Sequence, residues 1–458
     1  MNSNISESAL KNLEPEQLIT FLEEFKTHDR YVLAISGGKD SIALAHLFFS
    51  IKEKINHSIE MVYVDHGLQE VSNEWGDFCR EQASKFGFEF QQLTVNCRPV
   101  AGESIEAWAR DARYNLLSTL ADENTLVFTG HHQDDQAETL LLRLFRGTGV
   151  RGMACMQVAR KLGKGLLIRP LLNISSKQID QYVSINNLSW VHDKSNDDKS
   201  FDRNYLRQEI KPLIEKRWPE FQKSISRIIA YQQEAGELLD VLAVNDLQTV
   251  CDDDKTSINI DKLKVYSKAR IKNLLMCWIK GQHFLAPNHQ HIEEIINHSI
   301  FASDDRLPLV NWADIEVRKY KNRLYLLKTK KLESIKDEIK ISFHDSIIIN
   351  EEQVKWQIVE GKGIAKHFQD KSHFSLQFRR GGEKIKLANR GISKTIKQLF
   401  QENSVLPWKR ESFPLIYIDN KLAAIPGICT DDYFAAKENE PGIVFHWTGI
   451  SESIAKYD

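Results

Sequence analysis

The sequence has no long apolar run. No stretch of about 18 or more consecutive apolar residues, the length at which a membrane-spanning helix is expected, occurs in the 458 residues. The first ten residues, MNSNISESAL, are polar and lack the apolar core of a secretion signal. Internal repeats and low-complexity segments are also missing. We therefore expect a globular protein of the cytoplasm with no membrane partner.

Cysteine is scarce, and the chain carries almost no net charge. None of the six cysteines belongs to a C-x-x-C pair, which argues against a zinc ribbon or a redox dithiol. We interpret them as free buried thiols in a reducing compartment. The formal net charge of -2 means that any nucleic-acid surface is a local patch.

Strand and helix patterns alternate through about the first 215 residues. Short apolar segments predict strands at 31–35, 59–64, 88–95 and 125–129. Helical patterns follow them at 41–54, up to about 86, at 104–121 and at 132–145. This alternation predicts an α/β fold with a doubly wound parallel sheet and helices on both faces. Ligands bind beyond the carboxyl ends of such strands, where residues 36–41, 65–67 and 130–138 fall.

Later residues show different patterns. Helices are predicted at 221–242 and 264–279, a hairpin at 315–331, and a charged segment at 333–340 that can be a linker. Beyond it come short strand patterns with one helix near 393–402. We predict a catalytic domain at 1–215, a mainly helical domain at 216–332 and a small mixed α+β domain at 345–458.

The stretch AISGGKDS, residues 34–41, follows a predicted strand and opens a predicted helix. Backbone N–H groups and the helix N-terminus favour anions there, and glycine allows close approach. It is not a Walker A loop, because Leu33 stands at the first glycine position and Asp40 follows Lys39. The dinucleotide fingerprint is absent too. We predict a phosphate site, with a plain surface turn as the alternative, made by Ser36, Gly37, Gly38, Lys39, Asp40 and Ser41.

An acid within a phosphate loop opposes the charge of the ligand unless a cation lies between them. A Mg²⁺ ion on the phosphates would turn the repulsion of Asp40 into attraction. Capping of the following helix is the alternative role for this carboxylate.

The S-G-G-x-D-S pattern resembles the PP-loop ATP pyrophosphatases, which cleave ATP between the α- and β-phosphates and adenylate a substrate. Further motifs, in order along the chain, resemble the tRNA(Ile)-lysidine synthase family: YVDHGLQ (63–69), ESIEAWARDARY (103–114), GHHQDDQAETLLLRLFRGTGVRGM (130–153), LIRPLL (167–172), WVHDKSN (190–196) and RNYLR (203–207). IEVRKYKNRLYLL (315–327) and RRGGEKI (379–385) resemble the carboxy-terminal domains of its longer members. Gln69 stands where the family usually has arginine, and His192 where an acid is common.

The resemblance implies a reaction. ATP adenylates the C2 carbonyl oxygen of the wobble cytidine in an isoleucine tRNA with a CAU anticodon. The ε-amine of free L-lysine then attacks C2 and expels AMP, which leaves lysidine and lets the tRNA decode AUA. ATP, Mg²⁺, L-lysine and this tRNA are the expected ligands, and DNA is not.

Several charged residues fit that chemistry. Lys39 can stabilise charge on the leaving pyrophosphate. Arg110 and Arg113, three apart on one helical face, can clamp phosphates, or form surface salt bridges with Glu106 or Asp111. Asp65, at a strand end, can contact the nucleotide or the amine substrate, or cap the next turn.

The segment GHHQDDQAE places polar side chains at helical spacing. Lysine must lose a proton before it attacks, and a carboxylate or imidazole can orient the amine and accept that proton. We predict that Asp134, Asp135 and Glu138 bind lysine or Mg²⁺, with Asp40 and Asp135 as metal ligands. His132 is predicted to be a base or a phosphate ligand. The alternative is a capped helix start.

Basic residues complete the prediction. Arg203 and Arg207, four apart, suit tRNA backbone, a brace for the ATP loop or a structural salt bridge. Residues 318–331 carry seven Lys and Arg, as do residues 378–400. We expect both patches to contact tRNA phosphate, with Tyr320 and Tyr325 stacking on bases; solvated strand faces are the alternative. The tRNA-binding residues that we predict in these two patches are Arg318, Lys319, Arg379 and Arg380.

Other functions fit the sequence less well. A tRNA thiolase usually requires a cysteine pair or a metal cluster, and no C-x-x-C pair is present in the sequence. An adenylating amidotransferase needs an ammonia-generating domain, and no nucleophile with a matching triad stands out. A tRNA-binding protein that has lost catalysis would not need the loop at 36–41 and the acids at 134–138.

Overall fold

A computed structural model describes residues 9–67, 72–97, 105–251, 256–282, 284–302, 308–329, 338–343, 346–349, 352–388 and 391–449. The chain forms two compact units, Met1–Leu242 and Ala243–Asp458. Within the described ranges no helix is long and apolar enough to cross a membrane. The predicted three-domain division stays a prediction.

The first unit is built on a six-stranded sheet in the order β3-β2-β1-β4-β6-β5. Its strands are β1 (Arg30–Ile35), β2 (Ser58–Asp65), β3 (Glu89–Thr94), β4 (Thr125–Thr129), β5 (Ala159–Leu162) and β6 (Gly165–Ile168). All neighbours pair in parallel except β5 and β6. The predicted doubly wound parallel sheet is confirmed, with an antiparallel edge strand that the sequence did not predict.

Helices cover both faces of this sheet, as an apolar parallel sheet requires. The first unit contains α1 (Pro15–Leu22), α2 (Lys39–Ile51), α3 (Ser72–Phe86), α4 (Ile105–Leu120), α5 (Gln133–Phe145), α6 (Val150–Met153), α7 (Ser176–Ile185), α8 (Asp202–Tyr205) and α9 (Lys211–Arg217). A π-helical turn at Leu206–Ile210 joins α8 to α9, and 3-10 turns occur at Glu23–Phe25, Lys52–Lys54 and Lys194–Asp197.

Two apolar clusters fill the two sides of the sheet. One contains Leu33, Phe48 and Phe128, and the other contains Val32, Val127 and Leu167. Successive residues of a strand point to opposite faces, so Val32 and Leu33 contribute to different clusters. This burial on both faces fixes the sheet and holds the carboxyl ends of β1, β2 and β4 side by side.

Helix α10 (Phe221–Val250) contains the boundary between the units, and the second unit continues with α11 (Ile260–Lys264), α12 (Lys268–Gly281) and α13 (His289–Glu294). Beside these helices lies an antiparallel sheet in the order β7-β10-β9-β8. Its strands are β7 (Ser257–Asn259), β8 (Leu309–Trp312), β9 (Ile315–Tyr320) and β10 (Arg323–Lys328). The hairpin predicted near 315–331 is present as β9 and β10.

The rest of the second unit is mostly strand, with one helix, α14 (Ile396–Glu402), near its predicted place. The strands are β11 (Glu338–Lys340), β12 (Ile347–Ile349), β13 (Glu352–Glu360), β14 (Ile364–Ala365), β15 (Phe374–Gln377), β16 (Lys384–Lys386), β17 (Ser393–Thr395), β18 (Leu415–Ile418), β19 (Lys421–Ile425), β20 (Cys429–Thr430) and β21 (Pro441–Trp447). The end of the predicted linker, β11, pairs with β15; residues 333–337 lie outside the described residues.

Candidate active site

The loop after β1 turns sharply into helix α2. Gly37 has a φ of +79°, a conformation that favours glycine, and its carbonyl accepts a hydrogen bond from the Val191 amide at 2.9 Å. The Ser41 hydroxyl donates to the Gly38 carbonyl at 2.8 Å. Amides in the first turn of a helix have no partner within the helix. The loop therefore presents N–H groups and the positive end of α2, as an anion site requires.

The loop after β4 approaches the start of α2 very closely. A Cβ atom at Gly130 would lie 2.9 Å from the Asp40 carbonyl oxygen and 3.1 Å from the Ser41 nitrogen. Only glycine permits this approach. It brings the start of α5 next to the phosphate loop, as the positions of both motifs at strand ends predict.

His132 caps α5 and lies among three acids. Its Nδ1 lies 3.2 Å from the Asp134 amide nitrogen, while its own amide donates to Asp135 Oδ2 at 2.9 Å. Its Nε2 lies 3.6 Å from both Asp40 Oδ2 and Asp135 Oδ2. The predicted capping alternative is therefore present in the structure, and the capping residues are the same ones that face the phosphate loop.

The acids around His132 keep its ring charged. Burial favours the neutral ring, but Asp135, then Asp40 and Asp134, outweigh it and raise the pKa of His132 to about 9. A ring that already holds a proton at neutral pH does not accept another. Of the two predicted roles, this environment disfavours the base and favours a charged donor to phosphate.

The neighbouring His131 has the opposite environment. Burial lowers its pKa to about 3, and Arg169, Arg110 and Arg203 add to this effect against the opposing charge of Asp135. Its Nδ1 lies 2.9 Å from the Thr129 hydroxyl. His131 is neutral and lines the same cavity as His132.

Asp135 and Glu138 form a buried ion-pair cluster with two arginines. Glu138, 1 % exposed, accepts from Arg203 Nε at 2.8 Å and from Arg207 Nε at 2.6 Å. Asp135 Oδ1 accepts from Arg203 Nη2 at 2.8 Å. Burial opposes the ionised form of Asp135, yet His132 and Arg203 hold its pKa well below the ordinary range. The salt-bridge alternative for Arg203 and Arg207 fits this geometry.

The carboxylate oxygens of Asp134 also accept hydrogen bonds from other residues of the protein. Its Oδ2 accepts from the Ser176 amide at 2.9 Å, and its Oδ1 accepts from Gln222 at 3.0 Å and from the Lys211 ammonium. Burial opposes ionisation, but Lys211 keeps the pKa of Asp134 below its ordinary value. Asp134 thus holds an ammonium group in the structure, and a free lysine would have to displace Lys211 to bind there.

Asp65 and Arg113 end up in different environments. Asp65, 6 % exposed, accepts from the Gly67 amide at 2.8 Å, and it is not among the described residues that line the cavity. The turn-capping alternative fits this placement. Arg113 lines the cavity, lies 3.4 Å from His66 Nε2, and forms no ion pair with any described carboxylate. Burial and Arg113, opposed by Asp65, lower the pKa of His66 to about 4, so this ring adds no charge.

The carboxylate of Asp40 fits a bridging cation. Its Oδ1 is buried and has no hydrogen-bond partner among the described residues. In the described part of the chain, no group of three or more His, Cys, Asp or Glu side chains is arranged to hold a metal alone. Mg²⁺ usually binds one or two carboxylates together with substrate phosphates and water, so the residues fit this ion. Asp135 fits it less well, because arginine and backbone donors occupy its oxygens.

These parts surround one cavity of about 1110 Å³. It is as large as cavities that hold drug-sized ligands, which leaves room for two small substrates. Sequence reasoning missed several residues of its wall: His131, Tyr114, Asp180, Trp190, Asn204 and Lys211. Asp180 pairs with Lys39 across 141 positions of sequence, a separation that no local pattern can predict.

The basic patches of the second unit are partly engaged within the chain. Arg318 pairs with Glu316 at 2.7 Å and lies over the Trp408 ring, which Tyr325 also contacts at 5.2 Å between ring centroids. Lys319 is 5 % exposed, which disfavours contact of its ammonium with backbone phosphate; its predicted role stays a prediction. Lys330, Lys331 and Arg390 lie outside the described residues.

The other patch keeps more of its charge exposed. Arg380 and Lys384 are exposed, and Arg379 is partly buried with its Nε shielded from solvent. Lys386 and Lys394 instead pair with Asp432 and Glu402, both at 2.7 Å. Contact of this patch with tRNA stays a prediction.

The remaining predicted positions have simple placements. None of the six cysteines forms a disulfide bond in the structure, and only Cys79 is buried, so the prediction of buried thiols holds for one residue. His192 lies 3.1 Å from Asp197 on the exposed rim of the cavity. Gln69 and the side chain of Glu106 lie outside the described part of the structure.

Comparisons with known proteins agree with this architecture. Residues 7–214 match the family model of the PP-loop domain, residues 258–325 that of the TilS substrate binding domain, and residues 374–447 that of the TilS substrate C-terminal domain. The tRNA(Ile)-lysidine synthase of Coxiella burnetii is 35% identical over 429 residues, 93% of this chain and 95% of the relative. The enzyme of that name from Serratia proteamaculans is 34% identical over 424 residues, 92% and 96% of the two chains.

A solved structure was also found. It is a U34-tRNA thiolase from Methanococcus maripaludis, 20% identical, with a TM-score of 0.41 over 50% of this chain and 79% of that chain.

Proposed function

Because the chain belongs to the tRNA(Ile)-lysidine synthase family, we propose that it joins L-lysine to C2 of the wobble cytidine in an isoleucine tRNA with a CAU anticodon. ATP use and a tRNA substrate follow from the family and its domains. The observation that supports the proposal best is the close approach of Gly130 to Asp40, which joins the phosphate loop and the start of α5 in one cavity.

The nucleotide phosphates are proposed to lie against the loop at 36–41. Its backbone amides, the end of the α2 dipole and Lys39 supply positive charge for the pyrophosphate. Arg113 lines the cavity and has no described acidic partner, and we propose that its guanidinium contacts the α-phosphate. The ion pair of Lys39 with Asp180 is then exchanged for one with phosphate.

Asp40 is proposed to hold Mg²⁺ together with the phosphates. When bound, this ion neutralises charge on the leaving pyrophosphate. Protonated His132, 3.6 Å from the Asp40 carboxylate, adds a second positive group on the same side. Both features draw charge from the α-phosphate and make it more electrophilic.

The reaction then proceeds in two steps. The cytosine O2 attacks the α-phosphorus, the bond to pyrophosphate breaks, and the adenylated cytidine forms. The lysine ε-amine, after losing one proton, attacks C2, and the bond from C2 to the AMP oxygen breaks. Asp134 is the acid that we propose to orient the incoming ammonium, in place of Lys211. Asp135 and Glu138 hold Arg203 and Arg207 and so shape the wall of the cavity.

The test is direct. The full chain is incubated with Mg²⁺, ATP, radiolabelled L-lysine and the CAU isoleucine tRNA, and label on the tRNA and AMP release are measured. We expect both, in equal amounts, and neither when lysine is omitted or when elongator methionine tRNA is the substrate. No lysine-dependent label, together with no AMP, would overturn the proposal.

A further inference from the structure

Three arginines surround the phenol ring of Tyr114 at the edge of the cavity. The guanidinium carbon of Arg160 lies 4.6 Å from the ring centroid, and that of Arg110 lies 5.2 Å from it. Arg169, from the LIRPLL motif, interacts with the Tyr114 hydroxyl and is only 2 % exposed. The reaction proposed above uses neither the LIRPLL motif nor this cluster.

Acids do not balance this positive charge. Within the described part of the chain, Arg110, Arg160 and Arg169 form no ion pair with a carboxylate. Arg169 donates to the Gln157 carbonyl at 2.8 Å, while its Nε is buried without a partner among the described residues. Buried arginines are nearly always paired, because an uncompensated charge away from water is costly. Such a cluster indicates an anionic ligand.

The cluster also shifts the titration of the phenol at its centre. Burial opposes ionisation, but Arg169 and Arg110 outweigh it and lower the pKa of Tyr114. The positive potential of the guanidinium groups at this phenol therefore outweighs the effect of its burial.

The position of the cluster narrows the choice of anion. Tyr114 and Arg113 line the cavity, whereas Arg110, Arg160 and Arg169 are not among its described lining residues. Arg160 lies on β5, the edge strand of the sheet, and is partly exposed. A nucleotide or a lysine that contacts only the lining residues of the cavity does not contact these three guanidinium groups. A polynucleotide strand that enters the cavity must cross its rim.

We propose that Arg110 and Arg160 bind a backbone phosphate of the tRNA strand next to the target cytidine, and that the buried Arg169 holds Tyr114 in place. Planar guanidinium groups match the oxygens of a phosphodiester bidentately. Holding that phosphate fixes the depth to which the strand enters, and so positions the cytosine O2 at the α-phosphate. This inference rests on the proposed function, because it takes a tRNA as the substrate.

The test compares Arg160→Ala with Lys161→Ala. Both variants remove one positive charge from β5, but neighbouring residues of a strand point to opposite faces, and Lys161 is exposed. The Kd for the CAU tRNA is measured by filter binding from 50 to 300 mM salt. ATP affinity is measured by equilibrium dialysis, and the KM for lysine is measured in the lysidine assay. We expect Arg160→Ala to bind tRNA roughly ten- to hundredfold more weakly, with a salt slope smaller by about one. Lys161→Ala should match the parent chain, and ATP affinity should not change in either variant.

The other outcomes separate the explanations. A higher KM for lysine at unchanged tRNA affinity would assign the cluster to the lysine carboxylate, and weaker ATP binding would assign it to the nucleotide; both overturn the inference. The inference would also be overturned if tRNA affinity, ATP affinity and the KM for lysine all stayed unchanged, or if both variants lost tRNA affinity equally. If the parent chain neither binds the tRNA nor labels it with lysine, both the proposed function and this inference fail. Circular dichroism of Arg160→Ala checks that its losses do not come from unfolding.

Discussion

Replacing Glu138 by Gln should destabilise the first unit rather than remove a reacting group. The carboxylate is 1 % exposed and accepts three hydrogen bonds of 2.6 to 2.9 Å from Arg203 and Arg207. Removing one partner from a buried ion pair costs about 3–5 kcal/mol. Since the Arg207 side chain is 41% exposed, water can compensate part of this loss, and we take about 3 kcal/mol. For a unit of this size that corresponds to a fall of about 6–12 °C in Tm.

The assay is differential scanning calorimetry of the full chain. The transition of the first unit is identified as the one that Mg²⁺ and ATP raise, because a ligand stabilises the state that it binds. Glu209→Gln is the matched control, since Glu209 lies on the same π-helical turn as Arg207 and the substitution breaks only its surface pair with Lys199, which should leave Tm unchanged. If Glu138→Gln unfolds at the parent temperature while lysidine formation collapses, Glu138 acts in the chemistry and the structural reasoning is wrong.

Three further predictions follow from the same site. The raised pKa of His132 contributes about 3 kcal/mol to the free energy of unfolding, which is fully present below about pH 6.5 and is lost as the pH rises through about 9. Urea unfolding at pH 6, 8 and 10 should show this loss of stability. His132→Asn, which keeps a capping oxygen, should make the free energy of unfolding less dependent on pH. Gly130→Ala should weaken ATP binding about tenfold through backbone overlap with Asp40, whereas Gly149→Ala, which meets no atom within 4 Å, should not; equal ATP affinities in dialysis would contradict this. Asp40→Asn should need roughly tenfold more Mg²⁺ for half-maximal lysidine formation at unchanged tRNA affinity, and an unshifted Mg²⁺ titration would remove Asp40 from the metal site.

The sheet of the first unit was predictable because its strands are apolar on both faces. β4 has the predicted bounds, and β1 starts one residue earlier than predicted. The edge hairpin of β5 and β6 was missed, since Ala159–Leu162 mixes basic and apolar residues without clear alternation. Apolar periodicity reports burial, and the edge strand β5 is only partly buried, whereas the buried β6 is only four residues long.

The candidate site was predictable in composition and less so in pairing. Loops at strand ends placed residues 36–41 and 130–138 together, as the fold requires. The partners of those residues come from far along the chain: Lys211 is 77 positions from Asp134, and Arg203 is 65 from Glu138. Such long-range pairing decides that Glu138 is fully occupied and that Asp134 already holds an ammonium group. No local pattern in GHHQDDQAE contains that information.

The long sequence separations within the ion-pair cluster have a consequence during synthesis on the ribosome. Asp134, Asp135 and Glu138 emerge well before Arg203, Arg207 and Lys211, which compensate their charge. Until those residues leave the exit tunnel, closing the cavity would bury uncompensated acids, so the nascent chain keeps this region open. A truncated product that ends before residue 203 therefore has the phosphate loop but not the cavity wall, and it should bind ATP without transferring AMP to a tRNA.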